Sequence, residues 1–362
     1  MDIAVKSVED GGTVYIADTY TPASSAEKLG YFGKSVTLKG GTLNLSKAKT
    51  VGLRGAVTLD SVTVAANSNT VYANGKALVI QPTVTFNGTV TALYGGNDGS
   101  TPLRGTNMKV YAGNYTTIYG GSETGEINGD VYLTVGGSVN SGIDVSDHNT
   151  QNAVYAGSHN GVIVGNTHLE ITGNAKQEYA HGGGYGAKSV VTGICYSVIN
   201  GGNTMGYYGG SRAGSVGGVN FEMKNGTAEQ IFGGNWYQNS GNHVITPNAG
   251  NLVGDVDITL SGGTITRRVY GGCYNDYGIS SGWASDYYVE GNIRLTIKSG
   301  VTFKLSDLDN GILAVSRCSK NKAAEISDMY IESQTLYNTI KSKIGSSWWT
   351  SMDAYDNLYI QG

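Results

Sequence analysis

A short motif, Leu93-Tyr94-Gly95-Gly96, decides the fold because it returns along the chain at nearly regular intervals. Each copy has an apolar residue, then an aromatic residue or histidine, then two small residues. Successive rings lie 24 residues apart (Tyr208 to Phe232) at the least and 38 residues apart (Phe232 to Tyr270) at the most. A unit of about 25 residues, lengthened in places by loops, is typical of solenoid proteins. The other copies are Ile118-Tyr119-Gly120-Gly121, Val154-Tyr155-Ala156-Gly157, Ala180-His181-Gly182-Gly183, Tyr207-Tyr208-Gly209-Gly210, Ile231-Phe232-Gly233-Gly234 and Val269-Tyr270-Gly271-Gly272.

A second motif lies between the copies of the first and alternates apolar with polar or mixed residues. In one copy, Val131, Leu133 and Val135 are apolar, whereas Tyr132 and Thr134 stand between them. Strict alternation over five residues predicts a half-buried strand whose apolar residues face inward. The same pattern recurs at residues 167–171, 195–199, 219–223, 256–260 and 293–297.

These two motifs predict an all-β parallel β-helix, that is, a solenoid. A unit this short cannot bury its apolar edge alone, so equivalent strands of successive units must stack and pair in parallel. At about 4.8 Å per rung, the repeats predict roughly ten to twelve rungs. The paired glycines are expected to supply positive φ angles at each corner. Only 4 of 362 residues are proline, which fits a chain whose backbone N–H groups are needed in ladders.

Both ends of the solenoid are expected to be capped, because open ladders polymerise. Residues 1–315 are predicted to form the β-helix, with an N-terminal cap at about 1–12. Residues 316–362 are predicted to form a C-terminal cap. Apolar residues at mixed spacings of three and four predict a helix at about 323–344 within it, with Gly345 as its stop.

The opening segment from Val5 to Asp18 resembles the start of right-handed parallel β-helix domains of the pectate-lyase-like superfamily. Its central letters are Gly11-Gly12-Thr13-Val14-Tyr15-Ile16-Ala17. The segment from Val71 to Ile80 and the Tyr-Gly-Gly copies are similar to β-helical segments in surface proteins of Gram-positive gut bacteria. The resemblance covers about residues 1–315 and implies a right-handed, single-stranded β-helix that begins with a short helix. Lyases, hydrolases and inert adhesin stalks share this architecture.

The composition of the chain argues against nucleic-acid binding and membrane spanning. The formal net charge is −4 and charged residues make up 14% of the chain, so no basic field attracts nucleic acid. No apolar run is long enough for a membrane span. Met1-Asp2-Ile3-Ala4-Val5-Lys6 lacks the features of a signal peptide, which fits either a cytosolic protein or a piece of an exported precursor. The low charge and the abundance of Gly, Asn, Thr, Ser and Tyr favour the second, with an extracellular or cell-surface location.

Two lengthened loops are the candidate ligand site. They follow Phe232-Gly233-Gly234 and Tyr270-Gly271-Gly272, so they leave the same corner of consecutive rungs and are expected to lie side by side. Flat aromatic rings beside amide and carboxylate groups are suited to binding sugars. The alternative is that the two loops pack on each other and close one side of the solenoid. The repeated rings themselves form either a structural stack or an outward row that meets a polysaccharide. The predicted binding residues are Trp236, Tyr237, Tyr274, Asn275, Asp276, Tyr277, Trp283, Asp286, Tyr287 and Tyr288.

The expected function is a non-catalytic adhesin or carbohydrate-binding module with a plant or host glycan as its partner. A polysaccharide lyase or hydrolase is the alternative, and a structural stalk is a third. No catalytic residue, metal site or cofactor is predicted, because the paired aspartates, Gly-His-Gly and basic runs of such enzymes do not occur as a set. The chain is expected to be a monomer.

The three cysteines occupy two kinds of position. Cys195 takes an inward strand position and is predicted to be buried and unpaired. Aligning Val269 with Ala314 places Cys273 and Cys318 at equivalent positions of consecutive rungs, where a disulfide is within reach. Two unpaired thiols are the alternative.

Overall fold

The computed structural model describes residues 2–141, 152–237, 254–275, 289–304, 313–314, 324–344 and 355–362. Within these residues almost all regular structure is β-strand and the named strands pair in parallel, as predicted. The described helices are α1 (Asp2–Ser7) and α2 (Gln334–Ile344). Neither is long and apolar enough to cross a membrane.

The first part of the chain forms strands in groups of three. Each strand pairs with the third strand after it, so β1-β4-β7-β10, β2-β5-β8-β11 and β3-β6-β9-β12 are three parallel ladders. This connectivity is consistent with a β-solenoid, as the repeat predicts. The strands are β1 (Thr13–Tyr15), β2 (Thr19–Tyr20), β3 (Ala26–Leu29), β4 (Ser35–Lys39), β5 (Thr42–Asn44), β6 (Thr50–Leu53), β7 (Ala56–Asp60), β8 (Thr63–Ala65), β9 (Asn69–Tyr72), β10 (Leu78–Ile80), β11 (Thr85–Asn87) and β12 (Val90–Tyr94).

The later strands extend the ladders and include three long ones that bend through corners. They are β13 (Thr106–Val110), β14 (Tyr115–Tyr119), β15 (Val131–Val135), β16 (Asn140–Ser141), β17 (Ala153–Tyr155), β18 (Val162–Ile163), β19 (Thr167–His181), β20 (Val190–Tyr208), β21 (Ser215–Phe232), β22 (Trp236–Tyr237), β23 (Val256–Leu260), β24 (Gly263–Tyr270), β25 (Tyr274–Asn275), β26 (Ile293–Ile297), β27 (Val301–Phe303), β28 (Leu313–Ala314), β29 (Ser327–Ile331) and β30 (Asn357–Ile360). The first ladder continues from β10 through β13, β15, β19, β20, β21, β23, β26, β29 and β30. The third continues from β12 through β14, β17, β19, β20, β21, β24 and β28.

The second sequence motif forms the first ladder in the predicted register. Leu133 lies opposite Leu169, and Ile258 lies opposite Leu295. The alternate apolar side chains of these strands are buried in one continuous main core, whereas the residues between them face outward. The prediction of in-register parallel strands with inward apolar residues is therefore confirmed.

The paired glycines serve close approach between turns. We expected positive φ angles, but Gly120 and Gly121 lie outside the left-handed region, so this expectation is wrong at these positions. A Cβ atom on Gly120 would collide with the carbonyl oxygen of Ala156 on the next turn, and one on Gly121 would collide with Ser158 Oγ. Parallel strands about 4.8 Å apart leave no room for a side chain here.

The C-terminal helix is shorter than predicted. The structure has strand β29 (Ser327–Ile331) in the first half of the predicted range 323–344, and helix α2 begins only at Gln334. Ser327, Met329 and Ile331 are buried in alternation, so period two prevails over the helical spacing there. Ser333 starts α2, because its Oγ accepts the N–H of Leu336 at 3.1 Å. Strand β30 then pairs with β29, so the first ladder runs beyond residue 315.

Candidate functional site

The rings of the first motif form one stack, the aromatic column, on the outer side of the third ladder. The residue before a ring, such as Ile118 or Ile231, belongs to the main core, whereas the ring lies in a separate cluster on the opposite side of the strand. Adjacent ring centroids are 4.7 to 5.2 Å apart and the planes are within 13° of parallel. The column comprises Tyr72, Tyr94, Tyr119, Tyr155, His181, Tyr208, Phe232 and Tyr270.

The aromatic column is buried although it faces away from the main core. From Tyr94 to Tyr270 no member is more than 5% exposed. In a stack, neighbouring rings cover each other's faces, so these faces are not offered to a sugar. Each stacked pair contributes roughly 0.5–1.5 kcal/mol beyond its burial. Burial also raises the pKa of Tyr119 and Tyr155 far above the ordinary value, which keeps both phenols neutral.

A buried polar residue follows the two small residues in most copies of the motif, and these residues form the corner ladder. The backbone N–H of Ser122 donates to Ser158 Oγ at 3.1 Å, and that of Ser211 donates to Asn235 Oδ1 at 2.7 Å. Buried backbone donors need such acceptors. The corner ladder comprises Asn97, Ser122, Ser158, Ser211, Asn235 and Cys273.

Cys273 serves as an acceptor in the corner ladder. The backbone N–H of Asn235 donates to its sulfur, which partly offsets the effect of burial on the thiol. Burial prevails and raises the pKa of Cys273 to about 11, so the group stays a thiol at neutral pH. The sequence therefore has cysteine where other turns have serine or asparagine.

Replacing Cys273 by alanine should reduce the free energy of unfolding by about 1–3 kcal/mol, because the buried Asn235 N–H loses its acceptor. Cys273→Ser keeps an acceptor like that of Ser158 and should cost less. Urea unfolding of both variants measures the difference. A serine variant as unstable as the alanine variant would contradict this role.

In the five consecutive turns from Tyr119 to Phe232, the residue after the corner position forms a second row beside the aromatic column, which we call the outer wall. Each member stands four residues after a ring of the column, as Glu123 stands after Tyr119. Trp236 is buried, whereas the other described members are half-buried and reach solvent. The outer wall comprises Glu123, His159, Tyr185, Arg212 and Trp236.

The wall members from His159 to Trp236 pack on one another along the ladder. The His159 and Tyr185 ring centroids are 4.9 Å apart, and the Arg212 guanidinium lies 4.5 Å from the Tyr185 ring. The same guanidinium lies 5.6 Å from the Trp236 ring, which in turn stacks on Tyr208 of the aromatic column at 5.2 Å. The outer wall is therefore a row of flat side chains that packs against the aromatic column.

The outer wall changes charge along its length. At one end the Tyr72 hydroxyl donates to the Glu123 carboxylate. Burial lowers the pKa of His159 and Glu123 opposes this only in part, so His159 is neutral at pH 7. Toward the other end, the positive charge of Arg212 adds to burial in lowering the pKa of His181.

The two loops predicted to bind ligand do begin side by side. Strands β22 and β25 pair so that Trp236 lies opposite Tyr274 and Tyr237 lies opposite Asn275. Trp236 is only 6% exposed and packs into the aromatic cluster instead of standing at the surface. The other predicted binding residues, Asp276, Tyr277, Trp283, Asp286, Tyr287 and Tyr288, lie outside the described residues.

The cysteine predictions have different outcomes. Cys195 is fully buried as predicted, and burial raises its pKa to about 12. Val269 lies opposite Leu313, not Ala314, so the alignment behind the proposed bridge is wrong by one residue at that point. The Cys273–Cys318 disulfide stays a prediction, because Cys318 lies outside the described residues.

Sequence reasoning found only the last member of the described wall, Trp236. Glu123, His159, Tyr185 and Arg212 were missed, although the constant offset of four residues from each ring would have found them. The described residues contain no group of three or more His, Cys, Asp or Glu side chains that could hold a metal ion. In comparisons with known proteins, no family model, no curated protein and no solved structure matches the chain.

Proposed function

We propose that the protein binds a polysaccharide that lies along the ladder axis against the outer wall. The observation that carries this proposal is the row of Glu123, His159, Tyr185 and Arg212, one polar side chain on each of four consecutive turns. Successive turns repeat at about 4.8 Å, close to the length of one sugar unit in an extended chain. Each turn then meets one sugar unit and offers its hydroxyl groups a donor or an acceptor.

The packing of the wall supports the same proposal. Carbohydrate hydroxyls need well-placed hydrogen-bonding groups, and these cost less entropy when they are held in place before binding. Tyr185 is held by His159, by Arg212 and by an edge contact with Tyr155 at 5.5 Å. The wall is therefore already ordered for a ligand.

The proposal includes a right-handed, single-stranded β-helix like those of the pectate-lyase-like superfamily, in a monomeric protein at the surface of a bacterium. Parallel strands joined by crossovers within one sheet are right-handed in nearly all proteins, which supports the handedness. A cap formed by α1 is supported by Val5, which is buried in the main core. Lys34 also donates to the carbonyl oxygen of Lys6 at 2.8 Å, near the end of α1.

Replacing Tyr185 by alanine should weaken glycan binding by about 1–3 kcal/mol, because the ring positions both neighbouring wall residues. A screen of plant, mucin and cell-wall polysaccharides identifies the glycan, and titration calorimetry measures both proteins. Phe32→Ala is the control, since Phe32 is 71% exposed and lies outside the wall. Unchanged affinity in Tyr185→Ala excludes this surface, and a chain that binds no polysaccharide is better explained as a stalk.

A polysaccharide lyase or hydrolase is the second candidate. It is favoured by a neutral imidazole, His159, in the same row as the Glu123 carboxylate and the Arg212 guanidinium. A base, an acid and a cation are the groups that such reactions use. Incubation with the bound polysaccharide distinguishes the two functions: new reducing ends or unsaturated products indicate an enzyme, and an unchanged polymer indicates a binding protein.

A further inference from the structure

We propose that Arg212 binds the acidic group of an anionic polysaccharide, either a sulfate ester or a sugar carboxylate. The inference rests on the proposed function and names the class of glycan. It assigns the Arg212 position of the outer wall to an oxyanion and the Glu123 end to uncharged hydroxyl groups.

Arg212 lies between two aromatic rings of the outer wall. Its guanidinium is packed against Tyr185 of the preceding turn and Trp236 of the following turn, at 4.5 and 5.6 Å from the ring centroids. A flat cation held between rings keeps its N–H groups at its edge, where they can form hydrogen bonds. Arg212 is half-buried, so part of the residue is open to solvent.

Arg212 differs from other cations of the protein in its partners. Within the part of the chain that the structure describes, the Arg212 guanidinium makes no hydrogen bond and no ion pair. Other cations of the protein do have partners: Lys39 lies 2.7 Å from Asp60, and Arg294 lies 3.9 Å from Asp257. A half-buried charge has lost part of its hydration, so an incoming acceptor group is favoured there.

The planar guanidinium of Arg212 is complementary to the oxyanions of acidic sugars. Carboxylates and sulfates present two oxygens that accept parallel N–H bonds from one guanidinium. The nearest wall acid, Glu123, is three turns away, about 14 Å at the spacing of parallel strands. That distance exceeds the Debye length of about 8 Å at physiological salt, so repulsion of the ligand is weak. Neither intervening wall residue, His159 or Tyr185, has a carboxylate.

The test compares polysaccharides that differ only in their acidic groups. Dextran sulfate and dextran probe sulfate, whereas hyaluronan and carboxyl-reduced hyaluronan probe carboxylate. The full chain should bind at least one acidic polymer about ten- to a hundredfold more tightly than its neutral partner. Arg212→Gln should remove this preference and its salt dependence while neutral polysaccharides still bind. Arg294→Gln, an exposed arginine outside the wall, should leave both unchanged.

Three results would overturn the inference. Equal affinity of the parent protein for both members of each pair is one, and a preference that survives in Arg212→Gln is another. In both cases continued glycan binding leaves the proposed function standing. If no polymer of either pair or of the wider screen binds, both proposals fail. Near-UV circular dichroism reports whether the variant folds, and if Arg212→Gln does not, Arg212→Lys decides: the point charge without the planar fork should reduce the preference.

Discussion

Replacing Gly233 by alanine is expected to reduce the free energy of unfolding by about 3 kcal/mol, the upper end of the usual cost of overpacking. The new Cβ atom would lie 2.6 Å from Val256 Cγ1 and would collide with the carbonyl oxygen of Gly271. Both obstacles belong to strands of the next turn or to the corner that joins them. Neither can move without breaking the register of the ladder, so the strain cannot be relieved locally.

Gly218 provides the matched control for this substitution. Gly218, in β21, is likewise a buried glycine outside the left-handed φ region, but a Cβ atom there would lie 3.4 Å from the nearest atom, the Asp255 carbonyl oxygen. Gly218→Ala should therefore change stability little. Urea unfolding of the parent and both variants measures the difference, and equal losses in the two variants would show that rung spacing is not the reason for the paired glycines.

His181 should make the protein sensitive to acid. The imidazole lies between the rings of Tyr155 and Tyr208, at 4.7 Å from each, and has no exposed surface. Burial, and secondarily the charge of Arg212, holds its pKa well below the ordinary value of 6.5. The folded protein therefore keeps His181 neutral at a pH where the unfolded chain takes up a proton.

The direction of the pH effect follows from this difference. Above about pH 6.5 both states are neutral at this position, so the group contributes no pH dependence. As the pH falls below about 6.5, the unfolded state binds the proton first and stability is lost by up to about 1.4 kcal/mol per pH unit. The loss stops only when the pH reaches the lowered pKa of the folded state.

His181→Phe removes the titrating group. It introduces a phenylalanine ring, which the aromatic column already has two turns later at Phe232. Between pH 7.5 and pH 5, the variant should lose up to about 2 kcal/mol less stability than the parent. Urea unfolding at several pH values measures both profiles. Tyr155→Phe, a ring change in the adjacent turn without a group that titrates in this range, should keep the parent's profile. Parallel profiles for His181→Phe and the parent would show that His181 is protonated in the folded state.

The ladders could be predicted because their signal is repeated in every turn. Alternation such as Val131, Leu133 and Val135 specifies a strand, and the recurrence of the same pattern specifies its neighbour and register. The segment at 326–331 lacked such support, because its apolar residues also suit helical spacing. The helix predicted there was displaced by a strand that pairs with the preceding turn.

The outer wall could not be predicted in the same way. Its members share a position but no chemical property, so hydrophobic periodicity does not detect them. The burial of the aromatic column could not be predicted from the sequence either. Alternation indicates on which side of a strand a ring lies, but not what covers that side. In the structure, Trp236 of β22, the strand that pairs with β25, stacks on Tyr208 and so covers part of the aromatic column.

Within each turn, the residues that determine the shape differ from the residue at the wall position. This difference affects how binding specificity can change. Glycines, corner acceptors and stacked rings fix the shape of a turn, while the adjoining wall position is outside the main core and tolerates a carboxylate, an imidazole, a phenol or a guanidinium. Under the proposed function, each wall residue defines mainly one subsite. Exchanging one wall residue would then alter recognition chiefly at its own turn, and duplicating a turn would lengthen the stretch of polymer that is recognised.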